Sequence, residues 1–167
     1  MKRVQLFLNK ESLVNFAGEN VSLALLFPME RVFEDYVAYQ LKRKYPDRNI
    51  KTQNRAHHLI EEHCWAKIFQ IKPDIVMKKQ WEETIVLDTK WKIINQNNRR
   101  NKYGISQSDM YQLYAYAEKC NTKQVYLIYL RSDNFEKDLE PFYYRKDSQE
   151  LHVVWYDLLS DKIKIKI

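Results

Sequence analysis

Two short apolar runs, residues 75–77 (IVM) and 85–87 (IVL), flank a polar stretch containing Trp81, and few pairings of the two can bury both. In the second run, alternation sends Ile85, Leu87, Thr89 and Trp91 to one face of a strand and Val86, Asp88, Lys90 and Lys92 to the other. Paired as an antiparallel hairpin about Trp81, the runs match apolar faces only in the parity that sets Ile75 against Leu87 and Asp74 against Asp88. A slip of one residue would turn the buried set outward. The parity therefore points Asp74, Asp88 and Lys90 to a common face. Opposed residues on a ladder have Cβ atoms roughly 4.5–5.5 Å apart, so the two carboxylates repel unless a cation lies between them.

The 167 residues are enough to bury a core as one domain. We divide it into an extension over 1–22, a core over 23–130 and C-terminal strands over 131–167. With 45% hydrophobic residues and two glycines, the composition excludes a disordered chain. A net charge of +6 leans modestly towards an anionic partner such as nucleic acid. Cys64 and Cys120 are isolated thiols without a closely spaced pattern, which fits a reducing cytoplasm and no disulfide. The longest apolar run, residues 21–29, contains Pro28 and is too short for a membrane span; no signal peptide fits either.

Along the chain, residues 1–27 give a basic start, an apolar segment and a turn at Gly18-Glu19-Asn20. Pro28 suits the first turn of a helix from Met29 to about Lys44, with the apolar stripe Met29, Val32, Phe33, Tyr36, Val37 and Tyr39. Glu30 and Glu34 lie one turn apart at the border of that stripe, an unusual place for two acids. Residues 49–55 (NIKTQNR) read as a strand or loop exposing Lys51, Gln53 and Arg55. Residues 56–65 (AHHLIEEHCW) read as a short helix or irregular connection; His57, His58, His63 and Cys64 lack the spaced pairs of a structural zinc site. Residues 95–102 (NQNNRRNK) form a basic loop whose Arg99, Arg100 and Lys102, with Lys92 before them, are candidates for phosphate contact, or are merely solvated.

Ser106 with Asp109 three residues on marks a helix start. The helix runs from about Gln107 to Lys119 with Met110, Leu113, Tyr114 and Ala117 at core spacing, which puts Asp109, Gln112 and Tyr116 on the side away from the core. Residues 125–130 (VYLIYL) read as a central strand covered on both faces. Residues 142–144 and 151–156 read as further strands, and the terminal KIKIKI as a lysine-guarded edge strand.

Phosphodiester hydrolysis needs an activated water and neutralisation of the charge gathering on phosphoryl oxygens, and carboxylate-held Mg²⁺ supplies both. Mg²⁺ takes oxygen ligands and is commonly held by one or two carboxylates plus substrate phosphate. Asp74 and Asp88 meet that demand, with the Thr89 carbonyl as a further ligand and Glu34, before Glu30, completing the shell. Lys90 stands ready to orient water or stabilise developing negative charge. The competing reading is a solvated strand face, with acids early in a helix serving its dipole.

The order helix glutamate, PDIV, LDTKWK and DMYQLYAYA resembles the PD-(D/E)xK nuclease superfamily, especially its RecB-like branch with a Q-x-x-x-Y motif, matched here by Gln112 and Tyr116. More closely, LLFPMERVFEDYV, KPDIV, VLDTKWKII and GISQSDMYQLYAYA are similar to McrC-like nuclease subunits of McrBC 5-methylcytosine restriction systems, over about residues 23–130. The resemblance implies an α/β fold in which a mixed central sheet is flanked by helices. It also implies a Mg²⁺-dependent DNA endonuclease, with Mn²⁺ as a substitute, acting on double-stranded DNA with a McrB-like AAA+ GTPase. Asp74, Asp88 and Lys90 would be its core, joined by Glu34 and supported by Gln112 and Tyr116. McrC-like proteins usually carry an additional N-terminal region that engages the GTPase ring, and this chain is expected to begin close to its nuclease domain. The alternatives are a non-catalytic DNA-binding or assembly module on the same fold, and a RecB-like repair nuclease acting on DNA ends.

Overall fold

Alternation along the strands decides the layering. The computed structural model describes residues 28–145, 149–163 and 165; the extension and turn expected within 1–27 lie outside them. In chain order the elements are α1 (Met29–Lys44), β1 (Asn49–Thr52), β2 (His58–His63), β3 (Ala66–Gln70), β4 (Ile75–Lys78), β5 (Ile85–Lys90), a 3₁₀ segment (Arg99–Gly104), α2 (Gln107–Cys120), β6 (Gln124–Leu130), β7 (Phe142–Arg145), β8 (Gln149–Asp157) and β9 (Lys162–Ile163). Among the described residues, seven strands form one sheet in the order β1-β4-β5-β6-β8-β7, with β9 also paired to β8. The β1–β4–β5 part is antiparallel, β5–β6–β8 is parallel, and β7 and β9 run antiparallel to β8. The architecture is thus the expected α/β one, a mixed sheet flanked by helices.

Each face of the sheet has its own helix. Ile75, Met77, Ile85, Leu87, Tyr126 and Ile128 pack with Phe33, Tyr36, Val37 and Leu41 of α1. The alternate set, Val76, Val86, Val125, Leu127 and Tyr129, packs with Leu113, Tyr116, Ala117 and Cys120 of α2. This is the division that two-residue periodicity requires of strands covered on both sides. The hairpin register is as expected, Ile75 opposite Leu87, Val76 opposite Val86 and Met77 opposite Ile85, and Trp81 turns it with a positive φ of 68°. Central β6 lies between parallel β5 and β8, as its continuous apolar run implies.

The helix ends follow local chemistry. The Pro28 carbonyl accepts from Arg31 N and Val32 N at 2.9 and 3.1 Å, so proline sits at the cap, where its missing N–H costs nothing. Ser106 caps α2, its hydroxyl accepting from Asp109 N at 3.1 Å, the bond expected of an N-cap serine.

Three local expectations are corrected. Residues 56–65 are neither helix nor irregular connection: β2 and β3 form a separate two-stranded sheet, turned at Cys64 and Trp65, both at positive φ. Nearly all of its residues are exposed. On α2, Tyr114 is 41% exposed while Tyr116 is 3% exposed, because the buried row is Leu113, Tyr116, Ala117 and Cys120. Gln53 is half-buried and hydrogen-bonded rather than exposed. The basic loop is closed by its own backbone, with Asn95 N donating to Tyr103 O and Tyr103 N to Asn98 O at 3.0 and 2.8 Å. Of the terminal KIKIKI, Lys162 and Ile163 pair with β8, and residues 164, 166 and 167 lie outside the described set.

Candidate active site

The site gathers where β1 ends, β4 begins and β5 ends. Asp88 on β5 shares a face with Val86, so it points to the α2 side, where it is 1% exposed. Burial, and then the neighbouring Asp74 charge, push its carboxyl up to about 7 from an ordinary 3.8, against the pull of Lys90. Lys90 lies two residues on, on the same face. Its Nζ stands 2.6 Å from Asp88 Oδ2 and 3.8 Å from Asp109 Oδ1. The 2.6 Å contact is an ion pair off the hydrogen-bond direction, so Oδ2 remains without a directed partner. Burial alone would depress the Lys90 ammonium; the carboxylates around it, Asp88 foremost, outweigh that and raise it.

Asp74 precedes β4 by one residue and is held from the side. Its Oδ2 accepts from the Thr89 amide at 2.8 Å and the Thr89 hydroxyl at 3.0 Å. Thr89, expected to offer its carbonyl, thus uses two donors to aim Asp74. Glu34 approaches from α1. It is 6% exposed, whereas Glu30 is exposed, so of the two helix acids Glu34 is the buried one. Its carboxyl is raised, first by burial and further by the Asp74 charge, while a hydrogen bond from Gln53 Nε2 opposes the rise.

The α2 side chains form a relay rather than a polar outer face. The Tyr116 hydroxyl donates to the Lys72 carbonyl at 3.1 Å and accepts from Gln112 Nε2 at 2.6 Å. Gln112 Oε1 in turn accepts from Lys90 Nζ at 3.4 Å. The four-residue spacing that sequence reading assigned to a surface row instead stacks an amide over a buried phenol. Tyr116→Phe is expected to cost about 1 kcal/mol in urea unfolding, the usual net worth of a neutral hydrogen bond, while leaving the apolar contacts of the ring in place. A loss well above that would show that the relay is structurally indispensable.

Lys92, Arg99 and Arg100 are exposed on the segment joining β5 to α2, and Lys102 Nζ donates to Gln107 Oε1 at 3.4 Å. They flank the strand and helix that carry the site but do not line its cleft. That cleft, about 640 Å³, is lined by Gln53, Leu59, Lys72, Asp74, Gln112 and Tyr116 among others. Leu59 brings the β2–β3 hairpin into its wall. Gln53 was missed by sequence reading, and no periodicity signals it: it follows a short strand, and its partner Glu34 is on another element.

Among the described residues no group of three or more His, Cys, Asp or Glu side chains is close enough to hold a metal by itself. The donor set is still the kind a hard divalent ion takes: two carboxylates at the strand ends, one with a buried oxygen lacking a directed hydrogen bond, and none of the soft ligands a transition metal would select. Mg²⁺ needs no more than two protein carboxylates when waters and a substrate phosphate complete its shell.

Fold and site together define an α/β protein that carries carboxylates and a lysine at the ends of adjacent antiparallel strands beside an open cleft. The chain belongs to the family described as McrBC 5-methylcytosine restriction system component, which it matches over residues 2–130. Comparison with curated proteins gave no match. Among solved structures, the chain is similar to one in the refined half-complex from the tetradecameric assembly of Thermococcus gammatolerans McrB AAA+ hexamers with bound McrC, at 19% identity and a TM-score of 0.57. The likeness covers 83% of this chain and 30% of that one, so this chain spans less than a third of its structural neighbour. No described helix is long and apolar enough to cross a membrane.

Proposed function

We propose that this chain is the nuclease part of a McrBC-type restriction system, a Mg²⁺-dependent DNA endonuclease on a PD-(D/E)xK, restriction-endonuclease-like core. The single observation that carries the reading is the convergence of Asp74, Asp88 and Lys90, with Asp88 buried against Lys90 at 2.6 Å, in a chain of this family. Asp74 and Asp88 would hold the ion, joined by the Thr89 carbonyl, with Glu34 behind Asp74. When bound, the ion supplies Lewis acidity and lowers the pKa of water. Lys90, on the same face as Asp88, would present its ammonium to the attacking water and the phosphoryl oxygens. Gln112 positions Lys90, and Tyr116 fixes Gln112 against the Lys72 carbonyl. Lys92, Arg99, Arg100 and Lys102 contact the DNA backbone.

The partner is proposed to be a McrB-like AAA+ GTPase acting with the chain on methylated double-stranded DNA in the cytoplasm, supported by family membership and by the assembly in which the structural neighbour was solved. The test incubates purified chain with methylated and unmethylated plasmid, linear duplex and single strands, in Mg²⁺, Mn²⁺ or chelator, with and without the candidate GTPase. Metal-dependent cutting of closed plasmid supports the proposal. Cutting confined to linear ends or single strands would point to a repair nuclease, and no cutting under any condition to a non-catalytic module.

A further inference from the structure

One residue outside every recognised motif ties together two of the three carboxylates, and it does so through two separate groups. Gln53 lies just past β1 with a positive φ of 51°, a conformation that a β-carbon disfavours and that persists only where surrounding bonds hold it. Its backbone N–H donates to the Asp74 carbonyl at 2.8 Å. Its side-chain Nε2 donates to Glu34 Oε1. The strand end carrying Asp74 and the helix carrying Glu34 are therefore joined through this one residue.

The amide has no freedom to turn over. Reversed, it would set its oxygen against the Glu34 carboxylate; as placed, its Oε1 is buried and without a hydrogen-bond partner. Leaving a buried oxygen unpaired costs stability, and the compensating bond is the charge-assisted one to Glu34. The other bonded neighbour of that carboxylate is Arg31, one turn back on the same helix, with Nη1 3.4 Å from Glu34 Oε2. Arg31 is 47% exposed, so it holds Glu34 through a solvent-screened contact. Gln53 supplies the buried one.

We infer that Gln53 is a positioning residue for the divalent-ion site, holding the Glu34 carboxylate in fixed relation to Asp74 through its side-chain amide and its main-chain N–H. The inference rests on the nuclease reading above and extends it to a residue that acts through Glu34, not on the phosphate. Groups that orient metal ligands typically change metal affinity by about 10–100-fold when removed.

The experiment is calorimetric titration of the full chain with Mn²⁺, without DNA, beside thermal melts in chelator. Gln53→Asn separates positioning from folding. Asparagine tolerates positive φ better than glutamine, so the variant keeps the turn and the main-chain bond to Asp74, the melt in chelator showing it folded, while its side chain is one methylene too short for Glu34. Its Mn²⁺ affinity is expected to fall by about 10-fold or more. Gln53→Met, which keeps the length and loses the donor, should show the same fall. In a Glu34→Gln background both substitutions should change affinity by less than about threefold, because coupled residues are non-additive. Wild-type affinity in both variants, or an undiminished fall in the Glu34→Gln background, overturns the inference while the nuclease reading stands. If the wild-type chain binds no Mn²⁺ and Asp88→Asn titrates identically, both fall together.

Discussion

Asp88→Asn is expected to abolish DNA cleavage and, in the absence of divalent ion, to make the protein more stable at neutral pH. The first effect follows from the proposed ion site. A bound cation supplies several kcal/mol of transition-state stabilisation, which corresponds to about 10³-fold in rate or more. The second follows from burial. The Asp88 carboxyl stands near 7 in the folded chain against an ordinary 3.8, so the folded state holds this proton more tightly than the unfolded one. Its contribution to stability is complete below pH 3.8 and is lost as pH rises through about 7. Asparagine has the same shape and nothing to ionise. Urea unfolding in chelator should therefore show little difference between wild type and variant near pH 4, and an advantage to the variant of a few kcal/mol above neutrality, at about 1.4 kcal/mol per pH unit. Adding Mn²⁺ at pH 7.5 should raise the melting temperature of the wild type alone, since ligands stabilise only the state that binds them. A variant that cuts plasmid at the wild-type rate would remove Asp88 from the site.

Lys90→Met is expected to separate ion binding from cleavage. In the ion-free chain the Lys90 ammonium is the counter-charge of Asp88, at 2.6 Å, and so competes with an incoming cation for the same oxygen. Removing it leaves the buried Asp88 carboxyl without its counter-charge, so the acid keeps its proton to higher pH; the stability cost falls on the alkaline side of neutrality, where that carboxyl must ionise, and should be largely recovered by Mn²⁺. Affinity for Mn²⁺ should be unchanged or tighter, while plasmid cleavage falls by about 10²–10³-fold, the usual effect of losing one electrostatic stabiliser of the transition state. Calorimetry and cleavage assays on one preparation measure both. Parallel loss of binding and cutting would mean that Lys90 holds the fold of the site and not its chemistry.

The elements that sequence reading recovers are those whose signal is local and repeated. Strand parity alone predicts Ile75 against Leu87 and brings Asp74, Asp88 and Lys90 together, because a one-residue slip would expose the buried set. Both helices announce themselves through Pro28, Ser106 and their apolar spacing. The β2–β3 hairpin escapes because its turn, Cys64-Trp65, takes positive φ without glycine or asparagine, and because HLIEEH has no buried face to impose alternation. Tyr116 is misplaced because tyrosine suits a core or a surface equally. What decides is whether its hydroxyl finds partners, and here the Lys72 carbonyl and Gln112 supply them. Gln53 depends on a glutamate nineteen residues earlier, a relation that neither helical nor strand periodicity encodes.

The β2–β3 excursion leaves the main sheet after β1 and rejoins it before β4, and both openings are stitched shut. Gln53 N bonds to the Asp74 carbonyl at 2.8 Å, and Ile71 N to the His57 carbonyl at 3.0 Å. An insertion closed at its own base leaves the strand register independent of its length, and doubling such a loop costs only about 0.6 kcal/mol in closure entropy. Yet Leu59 from this excursion and Asp74 line the same cleft. The chain thus sets a panel whose length the sheet register does not fix directly beside its carboxylates. A change in the length of that panel would alter what reaches the carboxylates while leaving in place the frame that holds them.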